Sequence, residues 1–288
     1  MFFVIGVVLV FATVFGGFIA AGGQLDAVIE AAPMELVIIL GSGVGAMVVG
    51  NSMDTLKGVG AGFGKVAAGP KWKKQDYQDL LLLLFSLTKL MKSKGVVALE
   101  AHIEKPHDSP IFSRYPKIAK DHHVTDLICD TLRMMTMNLD DPHQVENNME
   151  KQLEKHHHEA HSPAHAIQNL ADGLPALGIV AAVLGIIKTM GAITEPPAVL
   201  GGMIGHALVG TFLGVFVAYG LVAPIAARLG SIVDEEGQFY KIIQDVLVAH
   251  LHGNAAQVSV EIGRGSVPSS MQPSFAKLEE AIGQLPND

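Results

Sequence analysis

Two groups of side chains in this 288-residue sequence have the types used in acid–base or metal chemistry. The first is the run His156-His157-His158-Glu159-Ala160-His161, with His165 beyond it. His157 and His161 stand one helical turn apart, the spacing of paired metal ligands on a helix. The run lacks the H-E-x-x-H order and lies among charged residues, so it reads as a solvated histidine face. The second is His206, the one ionisable group in an apolar run over about 199–224. It reads as a packed or hydrogen-bonded histidine near the outer end of that run. The single cysteine, Cys129, has no activating partner nearby in sequence and reads as a buried structural thiol in a reducing compartment. There is no G-x-S-x-G, Cys–His pairing or nucleotide fingerprint, so neither an enzyme nor a cofactor is expected. The net charge of −8 comes from interspersed acids and bases, without the separate basic stripe that nucleic acid requires.

A different chemistry is suggested by small residues at helical spacing: Gly41 with Gly45, Gly178 with Ala182, Gly201 with Gly205, and Gly210 with Gly214. In lipid, such residues let helix backbones approach closely. Pro175, Gly178 and Ala182 share one helix face; Thr211, Gly214 and Ala218 share another, with Pro224 following. Proline within a membrane helix frees a carbonyl and permits a kink. A weakly polar face with one hydroxyl suits either an ion path or plain helix packing, and the residues alone leave both open. No span is expected to carry Asp or Glu at depth, so a proton path would need a carboxylate from another chain.

These faces require membrane helices to hold them. Only 17% of the residues are charged, against about 25% in soluble domains, and four stretches are nearly free of charge. Each is long enough to cross a hydrocarbon core, which takes about 20 apolar residues. The expected fold is all-α, a polytopic membrane protein with spans at 1–23, 33–53, 170–193 and 199–224. Residues 24–32 and 194–198 form short periplasmic loops, 54–169 a cytoplasmic helical domain, and 225–288 a cytoplasmic helix and tail. Fifteen of the twenty Lys and Arg fall between 54 and 169, and the loop at 24–32 has none. The positive-inside rule then places the middle segment and both termini in the cytoplasm.

Within the middle segment, the glycine- and lysine-rich stretch 57–65 reads as a flexible exit from the bilayer. Trp72, among Lys71, Lys73 and Lys74, is expected to lie in the headgroup region. Helices are expected at 75–94, 96–103, 124–138 and 142–161. The apolar run 80–85 is too short to span. Residues 225–251 continue span four as one long helix, and 273–285 form a short final one.

The stretch Ala98-Leu-Glu-Ala-His-Ile-Glu-Lys-Pro106, followed by Ile111-Phe-Ser-Arg-Tyr-Pro116, resembles the cytoplasmic domain of the MotA family of flagellar stator proton-channel subunits. Leu174 to Ala182, Val209 to Gly214 and Ala218-Tyr-Gly220 are similar to its third and fourth spans, and Pro273-Ser-Phe275 with Leu278-Glu-Glu280 to its tail. The resemblance implies a bacterial inner-membrane protein that forms a pentameric ring around a MotB-like partner. That partner supplies the proton-carrying aspartate, and the cytoplasmic domain acts on the rotor protein FliG. The family's rotor-contacting charged pair falls on Lys92 and Glu100, and its two channel prolines on Pro175 and Pro224. Sodium-driven relatives carry a hydroxyl where this chain has Ala182, so Thr211 stands alone and proton coupling is expected. The alternatives are a TolQ/ExbB-like energiser, whose branch usually has three spans, and a non-conducting scaffold.

Overall fold

The structure, a computed structural model, describes residues 2–137 and 141–286. Those residues form helices and no strand. In chain order they are α1 (Phe2–Ala20), α2 (Asp26–Gly50), α3 (Met53–Ala68), α4 (Lys74–Lys94), α5 (Glu100–Ile103), α6 (Pro116–Ala119) and α7 (His122–Thr136). Then follow α8 (Pro142–Gly191), α9 (Pro197–Val217), α10 (Ala223–Leu251), α11 (Ala256–Gly265) and α12 (Phe275–Gly283). Met1, the expected end of a helix at Asn138 and the last two residues of the tail lie outside the described residues. The expected helix at 142–161 and the third span are one 50-residue helix, α8, which accommodates both Pro163 and Pro175. Helix α2 begins at Asp26, ahead of the uncharged run, so most of the expected loop 24–32 is helical.

The chain divides into two compact units: Met1–Gly69 with Ala160–Ile232, and Pro70–Glu159 with Val233–Asp288. The first holds the membrane helices. Four helical stretches are long and apolar enough to cross a bilayer, beginning at Phe3, Asp26, Pro142 and Pro197. Their large aliphatic residues point outward: Val37 is 68% exposed and Leu208 61%. That distribution suits lipid, which solvates such side chains as well as a protein interior does. The inward side joins α2, α8 and α9 around Ile39, Leu174, Ala181, Leu213 and Ala218. Helix α1 meets α9 through rings, Phe11 on Phe216 at 5.3 Å and Phe15 on Phe212 at 6.0 Å. Between α9 and α10 lies a π-helical turn, Ala218–Val222. Pro224 explains it, because proline donates no hydrogen bond and its ring crowds the carbonyl four residues back.

The glycine-rich stretch is not a flexible exit but the helix α3, capped by Ser52 accepting from Thr55 N–H. Its glycines admit neighbouring side chains. A Cβ on Gly58 would meet Pro163 at 2.5 Å, and one on Gly62 would meet Leu229 at 2.7 Å. Sequence composition shows a run of glycines as permissive, whereas the partners that make them necessary lie more than a hundred residues away.

The second unit has a conventional apolar core around α4. Leu80 to Leu84 are buried on every side of this helix, against Ile128 and Leu132 of α7, Phe239, Ile243 and Val246 of α10, Val260 of α11 and Leu278 of α12. Gly95, with φ 80°, stops α4, its N–H returning to the Met91 carbonyl. Trp72 is a core residue rather than an exposed anchor. It is 2% exposed and stacks on Phe239 at 4.0 Å with the rings nearly parallel. Lys71 and Lys117 each place an ammonium over the same indole, at 4.8 and 5.4 Å. The two lysines are ion-paired to Asp121 and Asp76 respectively. The residue types that suggested a headgroup anchor instead close a cation–π stack, because Phe239 supplies a desolvated face that sequence proximity did not reveal.

Candidate functional site

The membrane unit is built on an α8–α9 seam in which backbone meets backbone. A Cβ on Gly178 would lie 2.9 Å from the Gly210 carbonyl oxygen and 3.0 Å from Gly214 Cα. One on Gly214 would lie 2.8 Å from both Gly178 Cα and the Leu174 carbonyl oxygen. Farther along, Gly185 faces Ala207 just as closely. These small residues set how near the helices come. Gly41 and Gly45, read with the others as a packing pair, meet nothing within 4 Å among the described residues.

The expected ion-path residues sit on or beside this seam. Ala182 is 7% exposed and its backbone N would lie 3.3 Å from a Cβ on Gly210. Thr211 is adjacent to Gly210 and half-buried. Pro175 is half-buried inside α8, one residue after the carbonyl that Gly214 approaches. Pro224 is exposed, just past the π-helical turn. Ala182 is thus at the seam, Pro175 and Thr211 are chain neighbours of seam residues, and Pro224 marks the distortion at the end of α9.

Sequence reading missed one residue. Glu35 falls at the edge of the expected span 33–53, and no carboxylate is expected at depth. Because α2 starts at Asp26, Glu35 lies more than two turns inside the helix. Its Oε2 is buried with no hydrogen-bond partner among the described residues, and a Cβ on Gly210 would lie 2.6 Å from it. His206 lies in the first half of α9. Its Nε2 is 3.7 Å from Glu30 Oε2. The signal in the sequence was the Asp26-to-Glu35 interval, which covers enough residues for a helix to begin before the uncharged run.

The remaining candidates are in the other unit. Lys92 and Glu100 are both exposed. The Lys92 ammonium donates to the carbonyls of Gly253 and Asn254, at 3.3 and 3.4 Å, just beyond the C-terminal end of α10. Helix carbonyl ends carry partial negative charge, so this fixes the ammonium's direction. Cys129 is buried, and burial pushes its thiol up to about 12, which makes it inert rather than nucleophilic. The histidine run is not uniformly solvated. His156 turns inward, its ring 4.6 Å from His123 and 4.8 Å from Tyr240. His157 and His158 are exposed, and His157 Nε2 lies 3.6 Å from Asp234. Asp121 caps α7 by accepting from Val124 N–H at 2.9 Å. Burial alone would raise its carboxyl, but the hydrogen bonds from Lys71 and Val124 hold it below the usual carboxylate range.

Comparison with known proteins finds relatives that match over nearly the whole length. The family model described as Motility protein A N-terminal matches residues 4–95, and that of the MotA/TolQ/ExbB proton channel family matches residues 119–241. Motility protein A of Escherichia coli (strain K12) is 38% identical over 287 residues, covering 100% of this chain and 97% of the relative. Chemotaxis protein LafT of Vibrio parahaemolyticus is 33% identical over 280 residues, covering 97% and 98%. Among solved structures, the flagellar MotAB stator complex from Bacillus subtilis contains a chain with TM-score 0.70 and 22% identity, with 96% of this chain and 98% of that one covered. The C. jejuni MotAB structure gives TM-score 0.67 at 17% identity, covering 99% and 96%. At such identities these two likenesses establish the fold.

Proposed function

The chain belongs to the motility protein A branch of the MotA/TolQ/ExbB proton channel family, and from that premise we propose how its two units divide the work. It is a multi-pass inner-membrane stator subunit, coupling proton flow through a complex with a MotB-type partner to flagellar rotation. The observation that carries this reading is the end-to-end match to motility proteins, including the first two spans. It favours this branch over a TolQ/ExbB-type energiser and over a non-conducting scaffold.

In the finer reading, five copies surround two copies of the partner, whose membrane aspartate carries the proton past Thr211. The tight α8–α9 seam makes these two helices move as one body, and Pro175 and the π-helical turn at Ala218–Val222 give that body its points of bending. One charge crossing 100 mV releases about 2.3 kcal/mol, enough to shift a packing equilibrium by more than tenfold. The segment 54–169 and both termini lie in the cytoplasm, where Lys92 and Glu100 meet complementary charges on the rotor protein FliG. Lys92 is suited to the task because the Gly253 and Asn254 carbonyls already orient it.

A strain lacking this gene tests the reading. Cells are expected to build normal filaments, counted by microscopy, yet fail to swim, and a plasmid copy should restore swimming. Deleted cells that swim normally, or that lack filaments, contradict it. Orientation is tested by thiol labelling of a cysteine introduced at Asp26, which should react in intact cells with an impermeant reagent. Cys129 is no internal control, being buried.

A further inference from the structure

Glu35 has a position that packing alone does not account for. Measured along α2 at ~1.5 Å per residue, it lies about 13 Å from Asp26. Ala182 lies about as far from the Gly191 end of α8. The two helices and Gly210 of α9 therefore meet inside a hydrocarbon core about 30 Å thick. There the carboxylate Oε2 occupies the space over Gly210, flanked by Ala181 and Ala182, with no donor reaching it among the described residues. A buried, unpartnered carboxylate oxygen is costly in this setting, and ionisable residues kept within spans mark ion pathways. Gly210 is the one seam glycine whose missing side chain leaves room for a carboxylate oxygen rather than for a neighbouring helix alone. Two further titratable groups lie towards the same side. His206 on α9 is within electrostatic reach of Glu35, and Glu30, one turn or so earlier on α2, is 3.7 Å from His206 Nε2. Around the Gly210 position α8 contributes Ala181 and Ala182, and α1 carries no titratable side chain.

We propose that Glu35, seated over Gly210 with His206 and Glu30 on its outer side, is a second proton-carrying group that takes protons from outside water and hands them to the partner's carboxylate. This rests on the proton-channel reading above and adds a residue of this chain to it. In the uptake step, an outside proton reaches the Glu30–His206 pair and then binds a Glu35 carboxylate oxygen, giving the neutral acid. In the hand-on step, that O–H bond breaks, the proton passes through water to the partner's ionised carboxylate, and Glu35 regains its negative charge. No proton is gained or lost by the pair over a cycle. Gly210 acts as a positioning residue, because any side chain there displaces the carboxylate.

The test compares Glu35→Gln, Glu35→Asp and Glu35→Ala in the full-length chain co-expressed with its MotB-type partner. Proton flux is read as acidification of the cytoplasm after an acid pulse, and swimming speed, membrane amount and co-purified partner are measured alongside. Glu35→Gln keeps the shape but cannot cycle a proton. It is expected to lower flux and speed by about tenfold or more, the scale on which a positioned acid–base group contributes, with membrane amount and partner recovery unchanged. Glu35→Asp should recover part of the flux and shift its dependence on outside pH. Glu35→Gln conducting as well as wild type overturns the inference while leaving the channel reading intact. Glu35→Gln and Glu35→Ala both reducing recovery of the complex in proportion to flux would make Glu35 a structural anchor and also overturn it. A wild-type complex that carries no protons would overturn the stator reading itself, and this inference with it.

Discussion

The two units of this chain solve the same folding problem in opposite ways. In the unit around α4, large side chains are inside: Leu80, Leu81, Leu83, Phe112 and Phe239 are fully buried. In the membrane unit many large aliphatics are outside, and the close backbone approaches are made by Gly178, Gly185, Gly210 and Gly214. The difference follows from the solvent. Water drives apolar area inward at about 25 cal/mol per Å², so the α4 unit gains by burying volume. Lipid gives no such gain, so the membrane unit is held by close approach and dispersion contacts. A substitution that adds a methyl group should therefore damage the membrane seam most, and one that removes volume should damage the α4 core most.

The largest expected effect is at the seam. Gly214→Val places branched carbons against the Leu174 carbonyl and Gly178 backbone, neither of which is a flexible side chain. Swimming should be abolished, whereas Gly41→Val, with nothing within 4 Å, should swim nearly as wild type. Equal effects at the two sites would erase the distinction between seam and lipid-facing glycines. Next comes Trp72→Ala, which removes an indole from between Phe239 and two ammonium groups. It should cost about 3–5 kcal/mol, seen as earlier proteolysis of the second unit while the spans remain inserted. Little change in protease resistance would return Trp72 to a surface role.

A smaller effect is expected where neither core is touched. Lys92→Glu with Glu100→Lys should impair swimming at normal membrane amount, and opposite charge changes on the rotor partner should restore it in part. Normal swimming by the double reversal would remove this pair from the rotor contact. The smallest effect is in acid. Asp121 has a folded pKa below its ordinary value, so it contributes stability that is fully present above the unfolded pKa of about 3.9. That contribution is lost as pH falls through the lower, folded value, since the unfolded chain binds the proton first. Acid unfolding of detergent-purified protein below about pH 4 should be less steep in Asp121→Asn than in wild type, and equal steepness would contradict it.

How much was legible in the sequence differs in the same way between the units. The four spans, α4 with its Lys-Ser-Lys-Gly ending and the long helix after span four are local patterns, readable from composition and period. Features created by distant partners were not. Trp72 looked like a headgroup anchor because its neighbours are lysines, and only Phe239 makes it core. The α3 glycines looked flexible because Pro163 and Leu229 are far along the chain. Helix α11 escaped notice because its short apolar face becomes a pattern only against α4 and α10. Glu35 escaped because span boundaries were drawn at charges, and the helix does not stop there. Lys92 and Glu100 were legible as exposed charges near a helix end, but not the carbonyl pair that orients Lys92.

As proposed above, this chain forms a proton-driven channel in which Thr211 is the path hydroxyl and the position of Ala182 offers a methyl group rather than a second hydroxyl. Sodium must exchange its water shell for several oxygen ligands, and the methyl group at Ala182 removes one that a hydroxyl there would add beside Thr211 and the carboxylates, whereas a proton needs only titratable groups and water. The most direct measurement is swimming speed of cells carrying only this stator, in sodium-free medium and then with a protonophore. Speed should persist without sodium and collapse when the proton gradient is dissipated. Speed that rises with external sodium and survives the protonophore would contradict the account.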